Sequence, residues 1–144
     1  MYGMLVEQAW VITLTLAPLQ IAEKLYQKGL LSYPRTETDQ YDPQFDFRSY
    51  IEKQKTHGEW GDFATRLNDA SADAFEKPIN GRRNDKAHPP IHPTKPAIDL
   101  AGDEKRVYEY VTRRFLASCS KHAVGQQTTI TLHIADELFT TSGT

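Results

Sequence analysis

The segment Asp85-Lys86-Ala87-His88-Pro89-Pro90-Ile91-His92-Pro93-Thr94-Lys95-Pro96 constrains this chain more than any other. Its four prolines lack the N–H that a helix interior or a central strand requires. A stiff extended strip is the expectation, with regular structure on either side of it.

Upstream, Pro18, Ile21, Ala22, Leu25 and Tyr26 recur at helical spacing, with Glu23, Lys24, Gln27 and Lys28 on the opposite face. Pro18 suits a first turn and Gly29 a C-terminal stop. The following Leu30-Leu31-Ser32-Tyr33-Pro34-Arg35-Thr36 favours an extended segment or turn. Phe47, Tyr50 and Ile51 predict a second helix from Asp46, its cap, to about His57, with Gly58 ending it. Trp60, Phe63, Ala64 and Leu67 predict a third that runs out near Asn68. Residues 69–84, broken by Pro78 and Gly81, form an expected surface loop.

Beyond the proline strip, Asp103 and Glu104 put negative charge where a helix N-terminus favours it. Val107, Tyr110, Val111, Phe115 and Ser118 would line the buried face of a helix ending near Cys119. Thr128, Ile130, Leu132 and Ile134 then alternate with Thr129, Thr131 and His133, the period of a half-buried strand. Leu138-Phe139-Thr140 would return after a turn at Asp136-Glu137. The expected fold is mainly α with a small β component.

A length of 144 residues suits one domain plus part of a second, and 39% hydrophobic with 25% charged residues excludes wholesale disorder. The net charge of -2 requires any phosphate-binding surface to be a local patch. Cys119, the single cysteine, makes no internal disulfide, and no Cys/His spacing suits zinc. The apolar run from Ala9 to Pro18 falls far short of the roughly 20 residues that span a bilayer, so no membrane association is expected.

Chemistry concentrates in two places. In an extended chain Tyr33 and Arg35 point to one side, so a phenol and a guanidinium can address one anion. A phenol is a poor nucleophile at neutral pH, and a neighbouring cation both favours phenolate and binds a phosphate under attack. For an arbitrary Tyr-x-Arg, the reading as an interfacial aromatic beside a solvated charge outweighs this one. Lys86, His88 and His92 lie in the proline strip, with Lys86 and His88 on one face by the same alternation. A rigid backbone would aim them at phosphate, and His88 could donate to a non-bridging oxygen. Composition alone favours an inert surface loop. Arg82-Arg83 and Arg113-Arg114 read as solvated faces, and Tyr108 and Tyr110 as core and rim.

Taken together, Ile21-Ala22-Glu23-Lys24-Leu25-Tyr26-Gln27-Lys28-Gly29 and Ser32-Tyr33-Pro34-Arg35-Thr36-Glu37-Thr38 resemble the active-site signature of type IA DNA topoisomerases, in its eukaryotic topoisomerase III form. The run from Asp85 to Thr94 is similar to that family's second motif. The resemblance implies that Tyr33 attacks a single-strand phosphodiester, leaving a 5'-phosphotyrosyl link and a free 3'-hydroxyl. It implies that Arg35 holds the scissile phosphate and that His88 is the active-site histidine. Lys86 and Thr36 fall inside the motifs as candidate DNA contacts.

By the same resemblance, residues 18–125 would be the active-site tyrosine domain, with a winged-helix, catabolite-activator-like core, and residues 126–144 the start of the adjoining β-rich arch domain. Residues 1–17 match no part of the pattern. The family's magnesium ion belongs to an acidic Toprim domain that this sequence does not contain, and nothing marks Glu37, Asp39 and Asp42 as a replacement. The expectation is therefore a topoisomerase fragment that is inactive alone and binds no metal. Single-stranded DNA is the implied substrate, a RecQ-type helicase and OB-fold proteins are the implied partners of a full enzyme, and the nucleus or mitochondria its location. Two rivals come from other classes. One is a non-catalytic winged-helix-like DNA-binding or interaction module; the other is a tyrosine recombinase, whose dispersed arginines and histidines this chain does not assemble.

Overall fold

A computed structural model describes residues 16–97 and 99–144. The unmatched segment 1–17 and its apolar run therefore lie almost wholly outside the described residues. The fold is mainly α with one small antiparallel sheet, in the order α1 (Leu16–Gln27), α2 (Phe47–Glu52), α3 (Gly61–Asn68), a 3-10 turn (Ala70–Ala72), α4 (Gly102–Ser118), β1 (Thr128–Ile134) and β2 (Glu137–Gly143).

Helix α1 begins with Pro18 in its first turn, as its sequence predicts. It ends on Gly29, whose φ of +69° is the left-handed conformation glycine adopts without penalty. There the Gly29 N–H bonds the Tyr26 carbonyl at 2.8 Å and the Leu30 N–H bonds the Leu25 carbonyl at 2.9 Å, a paired closure that satisfies two orphan carbonyls. This cap turns the chain sharply into the segment that carries Tyr33.

Helix α2 is capped by Asp46, whose carboxylate accepts the Ser49 N–H at 3.1 Å. It stops at Glu52, short of the expected His57. The reason lies in its neighbour: Gly61, at the start of α3, packs so closely on the Lys55 carbonyl that a Cβ there would lie 2.3 Å from it. Helix α3 thus occupies the space a longer α2 would need, and the chain tightens into turns, with the Gln54 N–H reaching back to the Ile51 carbonyl at 2.9 Å. Gln54 then goes inward. Its buried amide donates to the Tyr108 hydroxyl at 3.1 Å and accepts the Trp60 indole N–H at 3.2 Å, tying α2, α3 and α4 together.

The core is formed by Leu25 and Leu31, Phe47 and Ile51 of α2, Trp60, Ala64 and Leu67 around α3, and Tyr108, Phe115, Leu116 and Cys119 along α4. Each fully buried leucine or isoleucine contributes roughly 1.5–3 kcal/mol from removing its apolar surface from water. Burial also pushes the Cys119 thiol up to about 12, which leaves it inert at neutral pH.

Two expectations about α4 and α1 are corrected. The buried face of α4 is Tyr108, Thr112, Phe115 and Leu116, while Val107 and Val111 only flank it, Tyr110 is partly buried and Ser118 is exposed. The face is rotated because Tyr108 can enter the interior with its hydroxyl satisfied, donating to the Lys95 carbonyl at 2.6 Å. Tyr26 leaves the apolar stripe of α1 and is 45% exposed, for a reason that becomes clear at the site.

The hairpin pairs Leu132 with Phe139 and Ile130 with Thr141. Its turn sits at Ala135-Asp136, one residue earlier than expected, with Ala135 in the left-handed region. Both strands are exposed along their whole length, so the expected half-burial of β1 is overturned. The alternation is present, but no described element covers the apolar face. No described helix is long and apolar enough to cross a membrane.

Candidate active site

Two non-helical runs, residues 29–41 and 80–94, lie antiparallel and are stitched from end to end. Leu30 accepts the Thr94 N–H at 2.9 Å, His92 accepts the Ser32 N–H at 2.9 Å, and Arg83 accepts the Asp39 N–H at 3.0 Å. Prolines 89, 90 and 93 cannot donate, so side chains complete the seam. The Ser32 hydroxyl accepts the His92 N–H at 2.9 Å, and the Thr94 hydroxyl donates to the Gly29 carbonyl at 2.7 Å. The proline strip is therefore extended over much of its length and anchored, as its composition requires.

Tyr33 projects from this seam between a helix and the strip. Its ring meets the edge of Tyr26 at 5.5 Å between centroids and 75°, which is why Tyr26 leaves the core. On the other side the His88 ring lies at 4.5 Å and 32°. Tyr33 is half-buried, and among the described residues no hydrogen bond engages its hydroxyl. Arg35 is exposed and paired through Nε with Glu23 of α1. The hydrogen bond and the charge of Glu23 raise the arginine's proton affinity, and Tyr33 adds to it in the same direction. Binding through Nε leaves the paired terminal nitrogens, the edge suited to a bidentate phosphate contact.

His88 is held by a turn. Asp85 Oδ1 accepts the backbone N–H groups of Ala87 and His88, each at 2.9 Å, and Oδ2 lies 3.4 Å from His88 Nδ1. The Thr36 hydroxyl donates to the same Oδ2 at 3.2 Å, and the Asp85 N–H donates to the Thr38 hydroxyl at 2.8 Å. The His88 and Ala87 N–H groups first, then the Thr38 hydroxyl and the His88 ring, hold the Asp85 carboxyl well below the usual carboxylate range.

The structure thus brings Tyr33, Arg35 and His88 to one place and treats the other candidates differently. Lys86 is exposed, but its φ is +60° inside the Asp85 turn, so it does not share a face with His88 by strand alternation. Thr36 is buried and its only hydroxyl proton is used on Asp85, which leaves none for a phosphate in this conformation. His92 is a core residue, 3% exposed, with its Nδ1 on the Pro90 carbonyl at 2.8 Å and its ring against Phe45 and Tyr50. Burial lowers its proton affinity, so it is no pre-aimed phosphate contact. Arg113 reaches Glu109 and Glu59 and lies over Trp60, a structural placement.

Sequence reasoning passed over Asp85, Glu23 and Tyr26. Asp85 carried a signal, because Asn84-Asp85 begins a loop in which Asx side chains cap nearby N–H groups. The described residues do not fit a magnesium site. Asp39 Oδ1 is used on the Arg83 N–H at 2.7 Å and Asp42 Oδ1 on the Gln44 N–H at 2.7 Å, and no described cluster of His, Cys, Asp or Glu could hold a metal.

The Tyr33 ring thus sits against those of Tyr26 and His88, with Arg35 two residues on and held by Glu23. Comparison with known proteins supplies the class. A family model described as DNA topoisomerase matches residues 16–144, and the chain belongs to the type IA DNA topoisomerase family. Within that family it is similar to proteins named topoisomerase 3. It is 47% identical over 126 residues to DNA topoisomerase 3 of Dictyostelium discoideum, covering 88% of this chain and 15% of that protein. It is 50% identical over 125 residues to DNA topoisomerase 3-alpha of Drosophila melanogaster, covering 87% of this chain and 10% of that protein. The human DNA topoisomerase 3-alpha is 45% identical over 125 residues, covering 87% of this chain and 12% of that protein. The chain therefore spans a small fraction of the length of these relatives.

Proposed function

We propose that this chain carries the nucleophile half of a DNA strand-cleaving and rejoining site, with Tyr33 as the attacking group. The phenol oxygen bonds to phosphorus, the 3'-oxygen leaves with a proton, and the product is a 5'-phosphotyrosyl link whose reversal reseals the strand. The observation that carries this reading is the Tyr33 hydroxyl, unengaged among the described residues, on a ring 4.5 Å from that of His88. Arg35 offers its terminal nitrogens to the scissile phosphate, and His88 a ring nitrogen to the charge that develops there. Lys86, exposed beside this site, remains a proposed contact to neighbouring phosphates.

Residues 18–125 form the tyrosine domain in this reading, and the uncovered hairpin begins the neighbouring β-rich domain. The magnesium ion implied by the family would be held by carboxylates outside this chain, so the 144-residue chain is inactive by itself. Single-stranded DNA is the proposed substrate. For the complete enzyme we propose a RecQ-type helicase and OB-fold proteins as partners, in the nucleus or mitochondria.

The test is a transplant. Residues 16–144 replace the matching segment of the Dictyostelium discoideum DNA topoisomerase 3, and the chimera is incubated with magnesium and single-stranded DNA. A covalent protein–DNA complex is expected from the chimera and none from the 144-residue chain alone. A chimera that binds DNA in a salt-dependent way yet never forms the complex would instead identify a DNA-binding module.

A further inference from the structure

We propose that Asp85 is a positioning residue for His88, holding the imidazole proton on Nδ1 so that Nε2 is the ring nitrogen left for the substrate. The role in cleavage rests on the reading of Tyr33 as the nucleophile; the geometry behind it does not.

Three donors converge on the Asp85 carboxylate, the N–H groups of Ala87 and His88 on Oδ1 and the Thr36 hydroxyl on Oδ2, and His88 Nδ1 lies 3.4 Å from that same Oδ2. An ionised carboxylate only accepts hydrogen bonds. The hydrogen bonds from the His88 and Ala87 backbone keep Asp85 ionised at neutral pH. Its 3.4 Å contact with Nδ1 is then favourable only when that nitrogen carries the proton. The hydrogen bond made by one ring nitrogen thereby decides what the other can do.

Asp85 also couples the two halves of the site. Thr36 and Thr38, which hold it, belong to the run that presents Tyr33, while its turn presents His88. One carboxylate thus sets the ring's rotation and its distance from the tyrosine together. In the doubly protonated ring, Nε2–H donates to a phosphate oxygen while Asp85 carries the balancing charge. In the neutral ring Nε2 is an acceptor.

Nitrogen-15 spectroscopy of the imidazoles in the 144-residue chain tests this, with the His88 signals assigned through His88→Gln. The neutral ring should show a protonated Nδ1 and a bare Nε2. In Asp85→Asn the amide oxygen keeps the two backbone N–H groups, and an NH2 donor replaces Oδ2. That donor should bond Nδ1 and invert the tautomer to Nε2–H. The His92 ring, buried and bound to Pro90, keeps its own signature if the variant is folded. A wild-type His88 already in the Nε2–H form overturns the proposal without any variant, and so does a folded Asp85→Asn whose tautomer is unchanged. A carboxylate that merely stabilised the loop would leave the tautomer where it was. Failure here leaves the Tyr33 reading standing, because that reading is decided by loss of the covalent complex when the hydroxyl is removed.

Discussion

Replacing Tyr33 by phenylalanine in the chimera should abolish the covalent complex, a loss of at least about 10⁴-fold, the scale of removing a nucleophile outright. The substitution deletes one oxygen, and among the described residues that oxygen makes no hydrogen bond. The ring contacts with Tyr26 and His88 remain possible for phenylalanine. Stability should therefore stay within about 0.5 kcal/mol of the parent, as for changes that remove no buried contact. Gel detection of the DNA-linked protein and urea denaturation measure the two quantities separately. A complex that survives Tyr33→Phe would reassign the nucleophile.

Trp60→Ala should produce the largest loss of stability, about 3–5 kcal/mol, as for truncation of a buried tryptophan. The indole is 3% exposed, its ring stacks on His57 at 3.4 Å, and its N–H is held by Gln54. Because Gln54 also bonds Tyr108, removing the indole loosens the junction of α2, α3 and α4 together. Against a total stability of about 5–15 kcal/mol for a domain, this loss leaves the fold marginal. The urea midpoint should fall with little change in slope. A loss under about 1 kcal/mol would show that the indole is not part of the packed core.

The difference in legibility between parts of the fold follows the range of the forces involved. Helix α1 and its stop were readable because Pro18, the apolar spacing and Gly29 act within a few residues of themselves. The end of α2 was not, because it is set by α3 arriving on the Lys55 carbonyl, a contact absent from the local pattern. Periodicity misses the buried face of α4 because it counts apolar residues, whereas Thr112 is buried and Tyr108 satisfies its hydroxyl inside.

At the site, proline content revealed the extended strip, and the motif resemblance named Tyr33, Arg35 and His88. Neither could show that the strips are stitched by Ser32, Thr36, Thr38 and Asp85, which is what brings the tyrosine to the histidine. Alternation does not place Lys86, because it presumes a straight chain and Asp85 bends it. The burial of His92 is not legible either, because a histidine in a polar-looking strip gives no local sign of the aromatic cage that closes over it. Glu23 looked like a solvated helix residue until the fold laid Arg35 beside it.

The most direct test traps the chimera on single-stranded DNA, digests the complex with protease and nuclease, and locates the residual nucleotide by mass spectrometry. The nucleotide should sit on Tyr33, joined through its 5'-phosphate. Attachment to another residue, such as the neighbouring Tyr26, or linkage through a 3'-phosphate, would contradict the assignment.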